Sequence, residues 1–379
     1  YERGERRCVY LIHDSSSQGR LLSLELVFLT ELALCPFLVS GKDLFGFVTG
    51  TGRCLDRSAA NGLYNSRWMC PAIQMMAKPS TYFSPAKTNI FLRITKKRDD
   101  GFHELASVFQ ALSLGDTLKV SVLEESGGKD VLRCNVDSVP LDESNLIVKA
   151  FNLFRRRTGQ NKFFDCEIDK RTPLEGGMGG GSSNCATALW AANELCGSPA
   201  STNQLIEWGG ELGSDVGFFL SEGTAYCTGR GEIVENVSPP LQTPQGAFWV
   251  VKPQEGCPTP LVYKTLGLKP GEALNGPDPV ALRERLVREG LSQEVCVNDL
   301  EPPAQKILPK LSQIKDALKK DGFHTVLLSG SGATTYALHS DPKADPRKSL
   351  EAAGLWDNAM FVAGPLKFVS RTKSEWYQL

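Results

Sequence analysis

The sequence predicts an α+β protein that has mixed, largely antiparallel sheets and two domains. Residues 163–169 alternate apolar with acidic side chains, which is the pattern of a half-buried strand. Residues 145–159 instead place their apolar side chains on one face of a helix and end in glycine. Strands and helices alternate in this way in both halves of the chain, and 379 residues are enough for two cores.

Changes in composition indicate where the domains begin. Residues 1–80 have no sustained periodicity, so we interpret them as an N-terminal extension that derives from a transit peptide or is disordered. Residues 81–245 form the first predicted domain and residues 246–379 the second, with a proline-rich junction before residue 246. The apolar run 21–40 contains two glutamates and a proline, so it is not predicted to cross a membrane.

Shorter patterns predict the remaining elements. In the first domain a short apolar strand is predicted over residues 82–94, where a proline interrupts it, and another strand over 117–123. A tight turn at 228–232 separates two further strands. In the second domain the pattern predicts a buried strand, two helices and another strand, at residues 247–253, 279–290, 303–322 and 324–328.

The most unusual stretch of the chain is the glycine-rich segment 173–184, which follows the half-buried strand and leads into a helical pattern from Asn184 to Gly197. Glycine allows a ligand to approach the backbone, and the first N–H groups of a helix favour phosphate. Ser182 and Ser183 would add hydroxyl donors or cap the helix. A Walker loop is excluded because the lysine of GxxxxGK[ST] is missing. The alternative, a flexible linker, is disfavoured because linkers rarely end on an amphipathic helix.

Three polar residues stand in mainly apolar or small-residue surroundings and are candidates for chemistry. Lys87 lies within the first predicted strand, Asp215 lies between small residues and an apolar run, and His103 follows a turn. Each also has a structural interpretation: a lysine at an exposed sheet edge, an aspartate that caps a helix, and a structural histidine. Likewise, a β-hairpin turn explains the small-residue segment 329–338 almost as well as the approach of a ligand does.

The composition argues against several classes of partner. The 42 basic and 43 acidic residues balance, so we expect no nucleic-acid footprint and no basic surface for membranes. The 11 cysteines form no CxxC pair and have no histidine partner at finger spacing, so neither a zinc site nor a disulfide framework is predicted. We therefore expect free thiols in a reducing compartment.

Four blocks, in this order and at these spacings, resemble the GHMP small-molecule kinases; they lie at residues 84–110, 173–187, 212–219 and 329–338. The resemblance covers about residue 83 to the C-terminus. It implies the GHMP kinase two-domain fold, with a ribosomal-protein-S5-domain-2-like N-terminal domain that binds ATP and a ferredoxin-like C-terminal domain. The segments CVNDLEPPA and SEWY further resemble plant and algal plastid forms, which implies the chloroplast stroma.

The resemblance also implies an activity: transfer of the γ-phosphoryl group of ATP to the 2-hydroxyl of 4-diphosphocytidyl-2-C-methyl-D-erythritol, in non-mevalonate isoprenoid biosynthesis. Lys87 and Asp215 match the catalytic pair of the family. Lys87 would polarise the acceptor hydroxyl and the transferred group, and Asp215 would accept the hydroxyl proton. Such a reaction requires positioning and positive charge more than covalent chemistry.

By the same resemblance, the glycine-rich stretch would hold the triphosphate, and Asn89 and His103 would line the cytidine site. Phe102 and Tyr263 would sandwich the base. Glu175 departs from the family pattern and is expected to face water, because an inward carboxylate would repel phosphate. The residues expected to bind ATP are Pro173, Leu174, Glu175, Gly176, Gly177, Met178, Gly179, Gly180, Gly181, Ser182 and Ser183.

Mg²⁺ is expected with ATP and would be held largely by phosphates and water, so no protein ligand is assigned. The expected partner is a small molecule, and the chain is expected to be a monomer or a weak homodimer. One alternative is another GHMP kinase that acts on a sugar, homoserine or mevalonate. The other is a catalytically silent nucleotide-binding regulator on the same fold.

Overall fold

The structure, a computed structural model, describes residues 79–123 and 128–378 together with the backbone of four short strands nearer the N-terminus. The chain divides into two compact units, Tyr1–Met76 and Ala77–Leu379. In the first unit, β1 (Arg7–Ile12) pairs antiparallel with β2 (Leu22–Val27), and β3 (Cys35–Pro36) pairs antiparallel with β4 (Phe47–Val48). The rest of the predicted extension and of the apolar run 21–40 lies outside the described residues.

A six-stranded sheet forms the first half of the second unit, in the order β10-β9-β6-β8-β7, with β5 also paired to β6. All neighbours are antiparallel except β7 and β8. The predicted strand 82–94 is longer than expected because it pairs with β6 over most of its length. The strands are β5 (Ser80–Lys97), β6 (His103–Leu123), β7 (Val131–Cys134), β8 (Phe163–Asp169), β9 (Thr224–Thr228) and β10 (Ile233–Asn236).

Four helices cover this sheet and share its largest apolar core. As predicted, the first of them ends at Gly159, which has a φ of 69° that suits glycine. The fourth is a single turn that follows Asp215. The helices are α1 (Leu146–Thr158), α2 (Gly180–Leu195), α3 (Thr202–Leu212) and α4 (Val216–Phe219).

Helix α2 begins at Gly180, four residues before the predicted start at Asn184. The reason is the left-handed conformation of Gly179, with a φ of 68°, which turns the chain directly into the helix. The amide of Ser183 donates to the carbonyl of Gly179 at 2.8 Å. Ser182 and Ser183 therefore lie in the first turn, and the prediction that they cap the helix was wrong.

The second half of this unit contains a four-stranded antiparallel sheet in the order β12-β13-β11-β14. This is the ferredoxin-like order that the resemblance to the GHMP kinases implied. The strands are β11 (Ala247–Lys252), β12 (Thr325–Leu328), β13 (Thr335–His339) and β14 (Phe361–Ala363). The helices are α5 (Thr259–Leu266), α6 (Pro279–Glu289), α7 (Glu301–Ile307), α8 (Lys310–Lys320) and α9 (Pro346–Ala352).

The single helix predicted over residues 303–322 is in fact two helices, α7 and α8. Pro309 separates them because a proline has no N–H group and forces the preceding residue out of the helical region. Leu308 accordingly has φ −128° and ψ 86°. The apolar spacing continued through the break, so periodicity alone concealed it.

The C-terminal segment returns to the first sheet. The indole of Trp376 donates to the carbonyl of Phe83 at 2.6 Å, and the guanidinium of Arg371 lies 4.2 Å from the ring centroid of Trp190. Trp376 and Tyr377 belong to the core under α1 and α2. The α+β class is confirmed, whereas the domain boundary at residues 245 and 246 stays a prediction. Within the described residues, no helix has both the length and the apolar character needed to cross a membrane.

Candidate active site

A cavity of about 740 Å³ lies among the glycine-rich stretch, β5, α5 and the loop between β12 and β13. It brings together residues that are far apart in the sequence. Of the residues singled out by the sequence, the following line it: Lys87, Asn89, Phe102, His103, Gly177, Gly179, Asp215 and Tyr263. The cavity is therefore the candidate site.

Lys87 and Asp215 meet in the wall of this cavity, where Lys87 Nζ lies 3.3 Å from Asp215 Oδ2. The ammonium also donates to Asn89 Oδ1 at 2.8 Å, and Asn89 Nδ2 donates to Ser107 Oγ at 2.9 Å. The Lys87 side chain is 5% exposed and that of Asp215 is 29% exposed. The cation is therefore fixed by its surroundings, while the carboxylate keeps a face open to a ligand.

Local backbone structure explains the position of both charges. The register of β5 against β6 shifts between Pro85 and Lys87, and the amide of Lys87 donates to the carbonyl of Met178 at 2.9 Å. Lys87 is buried, so the alternative of an exposed edge lysine was wrong. Asp215 stands at the N-cap position of α4 but makes no capping hydrogen bond. Its carboxylate is thus not engaged by the helix, contrary to the structural interpretation.

The glycine-rich stretch packs against the loop between β12 and β13. A Cβ atom on Gly177 would lie 2.8 Å from the carbonyl oxygen of Ser329 and 2.9 Å from that of Gly332. A Cβ atom on Gly179 would lie 2.9 Å from Phe219 Cζ and 3.1 Å from Lys87 Cγ. The hairpin interpretation of residues 329–338 is confirmed, because β12 and β13 pair antiparallel on either side of the turn. Gly330 and Ser331 of this turn line the cavity, and the approach of a ligand to them stays a prediction.

Not every residue of the stretch predicted to bind ATP faces the cavity; only Gly177 and Gly179 line it. Leu174 and Glu175 are exposed, and Glu175 faces water as expected. Ser183 is completely buried, and its hydroxyl lies 2.8 Å from Ser84 Oγ. Its hydroxyl is therefore already used within the protein.

Phe102, His103 and Tyr263 line another part of the cavity, which we call its aromatic end. The rings of His103 and Tyr263 lie with centroids 4.8 Å apart at an angle of 34°. Phe102 is 55% exposed, and the guanidinium of Arg230 lies 5.2 Å from its ring centroid. His103 Nε2 is buried without a hydrogen-bond partner among the described residues, which is costly unless a ligand or water binds it.

Burial lowers the pKa of His103, and the nearby Lys97 lowers it further. The imidazole is therefore neutral at neutral pH. Burial also raises the pKa of Tyr263, with Asp215 as the second cause, so its hydroxyl stays protonated. This end of the cavity is thus an aromatic surface with one unpartnered ring nitrogen, which suits a flat heterocycle. The cations of Lys97 and Arg230 also line it.

The sequence matches the family described as GHMP kinases N terminal domain over residues 145–223 and that described as GHMP kinases C terminal over residues 272–353. The chloroplastic 4-diphosphocytidyl-2-C-methyl-D-erythritol kinase of Mentha piperita is 48% identical over 301 residues, which cover 78% of this chain and 72% of that protein. The chain belongs to this family of GHMP kinases.

Other comparisons agree. The chloroplastic kinase of the same name from Arabidopsis thaliana is 47% identical over 301 residues, which cover 78% of this chain and 76% of that protein. A crystal structure of 4-(cytidine 5'-diphospho)-2C-methyl-D-erythritol kinase has a TM-score of 0.60 and 29% identity. The match covers 77% of this chain and 100% of that one. The GHMP kinase fold expected from the sequence is confirmed.

Several cavity residues of this GHMP kinase were missed at the level of sequence. Thr259 Oγ1 lies 2.7 Å from Ser331 Oγ, so two hydroxyl groups face the cavity beside Gly330. Arg230 was assigned only to a tight turn, although its guanidinium packs on Phe102. No sequence pattern around Thr259 or Arg230 indicated that they line a site. Ser331 lay in a segment already suspected of approaching a ligand.

A substitution at Gly177 should show how closely the two loops must approach. Gly177→Ala is expected to raise the KM for ATP at least tenfold, because the methyl group would displace the carbonyls of Ser329 or Gly332. Gly159→Ala is the matched control, since Gly159 has the same φ of 69° but nothing within 4 Å of its Cβ position. The control should lose about 1 kcal/mol of stability and keep its KM. An equal rise of the KM for ATP in Gly177→Ala and Gly159→Ala would show that the clash with the loop carbonyls is not the cause.

Proposed function

We infer that this GHMP kinase transfers the γ-phosphoryl group of ATP to the 2-hydroxyl of 4-diphosphocytidyl-2-C-methyl-D-erythritol. The products are the 2-phosphate and ADP, and the reaction belongs to non-mevalonate isoprenoid precursor biosynthesis. The observation that carries this inference is the contact between Lys87 and Asp215, in a cavity bounded by glycine-rich backbone on one side and aromatic rings on another. Plant relatives of the family are named chloroplastic, so the reaction is assigned to plastids.

The chemistry needs one acid–base group and one fixed positive charge. As the acceptor oxygen bonds to the γ-phosphorus, its proton passes to the carboxylate of Asp215, and the bond to the bridging oxygen of ADP breaks. The ammonium of Lys87 stabilises the charge on the transferred group and draws the acceptor hydroxyl toward it. Because Lys87 is already held by Asn89 and Asp215, it needs no reorganisation when the reaction occurs.

We assign the triphosphate to the glycine-rich stretch. The first amides of α2, like those of any helix, have no partner within the helix, and they directly follow the left-handed Gly179. No acidic residue lies in the first turn of α2 to oppose an anion. Mg²⁺ would arrive with ATP and be held by phosphates and water. Residues 79–123 and 128–378 contain no group of three or more His, Cys, Asp or Glu that could hold a metal, so we assign no protein ligand to it.

We assign the cytidine to the aromatic end of the cavity. Neutral His103 would hydrogen-bond the base edge through its unpartnered Nε2, and Phe102 and Tyr263 would contact its faces. Asn89 lies instead beside Lys87, where both of its amide atoms are engaged. We therefore propose that Asn89 orients Lys87 and does not bind the base.

His103→Ala is expected to raise the KM for the cytidine substrate by about tenfold to a hundredfold with little change in the KM for ATP. In the wild type, the KM for this substrate should stay constant through the ordinary titration range of histidine and rise only at lower pH. The pKa of His103 is lowered in the folded protein, so the neutral form is lost only below that range. Measuring KM against pH for both proteins checks this, and an effect confined to ATP would reassign the pocket.

A panel of acceptors tests the proposed substrate. The full chain with ATP and Mg²⁺ should release ADP rapidly with 4-diphosphocytidyl-2-C-methyl-D-erythritol and negligibly with homoserine, mevalonate or galactose. Preference for another acceptor would overturn the substrate assignment but keep the kinase. Binding of ATP without ADP release on any acceptor would indicate a catalytically silent regulator.

A further inference from the structure

Asp116 is a buried carboxylate that the proposed mechanism does not use. It lies in β6 opposite Ser84 of β5 and is completely inaccessible to solvent. It does not line the cavity. An ionised carboxylate in such a place is costly unless several donors satisfy it, so its partners indicate its role.

Four donors surround Asp116, and they come from both ends of the glycine-rich stretch. Oδ1 accepts the amides of Arg171 and Thr172, at 2.8 and 2.7 Å. Oδ2 accepts Lys170 Nζ at 2.6 Å and Asn184 Nδ2 at 2.9 Å. Residues 170–172 precede the stretch and Asn184 is its last residue, so one carboxylate closes the base of the loop.

The same network reaches the first turn of α2. Asn184 Nδ2 also donates to Ser84 Oγ at 2.9 Å, and Ser84 Oγ lies 2.8 Å from Ser183 Oγ. Lys170 Nζ lies 3.0 Å from the position that a Cβ on Gly180 would occupy. Every member of the network is therefore in contact with the loop or with the turn that carries the helix amides.

We propose that Asp116 is a positioning residue that fixes the shape of the glycine-rich stretch and thereby sets the affinity for ATP, without touching the nucleotide. The proposal rests on the assignment of ATP to this stretch. A flexible glycine loop would otherwise lose conformational entropy on binding, and a loop closed at its base has already lost part of it. Loss of the carboxylate should thus weaken ATP more than the acceptor alcohol.

Asp130 offers a matched control. It directly precedes β7 of the same sheet, and its side chain is only 5% exposed. It accepts both terminal nitrogens of Arg155, at 2.9 and 2.7 Å, and the amide of Phe164 at 2.9 Å. It contacts neither end of the glycine-rich stretch. Asp130→Asn should therefore cost stability in the same way as Asp116→Asn without altering the loop.

The test compares the full wild-type chain with Asp116→Asn and Asp130→Asn. Calorimetric titration with MgATP in the absence of acceptor gives the nucleotide affinity, and steady-state assays give both KM values. Asp116→Asn should weaken ATP binding tenfold or more and change the KM of the acceptor less than twofold. Asp130→Asn should lower the melting temperature but leave ATP affinity within twofold. Unchanged ATP affinity in Asp116→Asn, or an equal loss in both variants, would overturn the proposal.

If Asp116→Asn does not fold, Asn184→Ala decides the matter, because it removes the bond between Asp116 and the end of the stretch and leaves the other three donors to the carboxylate in place. A weaker ATP affinity with an unchanged acceptor KM supports the proposal, and wild-type ATP affinity overturns it. The titration contains no acceptor, so a wrong acceptor assignment would leave this result standing. Failure of the wild type itself to bind MgATP would instead overturn the proposed function.

Discussion

Asp215→Asn is expected to lower kcat by about two to four orders of magnitude while the affinity for ATP changes little. Asparagine has nearly the same shape as aspartate but cannot accept the proton of the acceptor hydroxyl. The side chain makes no capping bond to α4, and Asn89 still accepts a hydrogen bond from the Lys87 ammonium in the variant, so the fold should be kept. The measurement is kcat with saturating acceptor, together with a titration of MgATP.

Asp278→Asn provides the control for this prediction. Asp278 stands at the N-cap of α6 and does not line the cavity, so the same chemical change occurs at another helix start. Its carboxylate does cap the helix, by accepting the amide of Ala281. The control is expected to lose up to about 1 kcal/mol of stability and keep its kcat. An unaltered kcat in Asp215→Asn would remove this carboxylate from the mechanism.

Lys87→Met is expected to lower kcat by about two to three orders of magnitude, because it removes the charge that stabilises the transferred group. Methionine keeps much of the aliphatic stem, which packs close to Gly179, and the ammonium it replaces lies 4.4 Å from the ring centroid of Phe109. The KM for ATP should rise less than kcat falls. A higher KM for ATP with a normal kcat would mean that Lys87 contributes only to substrate binding.

Lys119→Met is the control for removal of a paired ammonium. Lys119 Nζ lies 3.2 Å from Glu167 Oε1, which is nearly the separation between Lys87 and Asp215. The side chains of Lys119 and Glu167, however, are both about half exposed. Surface pairs of this kind contribute little, so activity and stability should both be close to those of the wild type. A large loss of activity in this variant would show that the assay responds to general charge and not to the site.

The elements that were predicted correctly are those whose bounds are determined by residues within the element or directly beside it. Helix α1 has a cap at Asn145, an apolar face and a glycine stop, and β8 alternates throughout. The start of α2 was misplaced because it depends on the backbone conformation of Gly179, which the spacing of apolar residues does not reveal. The length of β5 was underestimated because pairing with β6, and not the apolar pattern, determines it.

The residues of the site also differ in how much the sequence alone reveals about them. The glycine-rich stretch was evident from the residues alone, because its composition and its position before a helix already favour an anion. Lys87 and Asp215 had structural interpretations that were at least as good, and only family resemblance joined them. Asp116 gave no signal at all, because an aspartate after Gly115 is typical of any turn. Its role depends on contacts with Lys170 and Asn184 that only the folded chain creates.

The most direct measurement of the central claim is a single-turnover experiment on the ternary complex with ATP and the diphosphocytidyl alcohol. Rapid quenching gives the rate of phosphoryl transfer for the wild type, Lys87→Met, Asp215→Asn and the double variant. If the two side chains act together on one reacting group, both single variants are slow and the double variant is little slower than the worse of them. A double variant whose loss of rate equals the product of the two single losses would contradict the account, because the two side chains would then act independently.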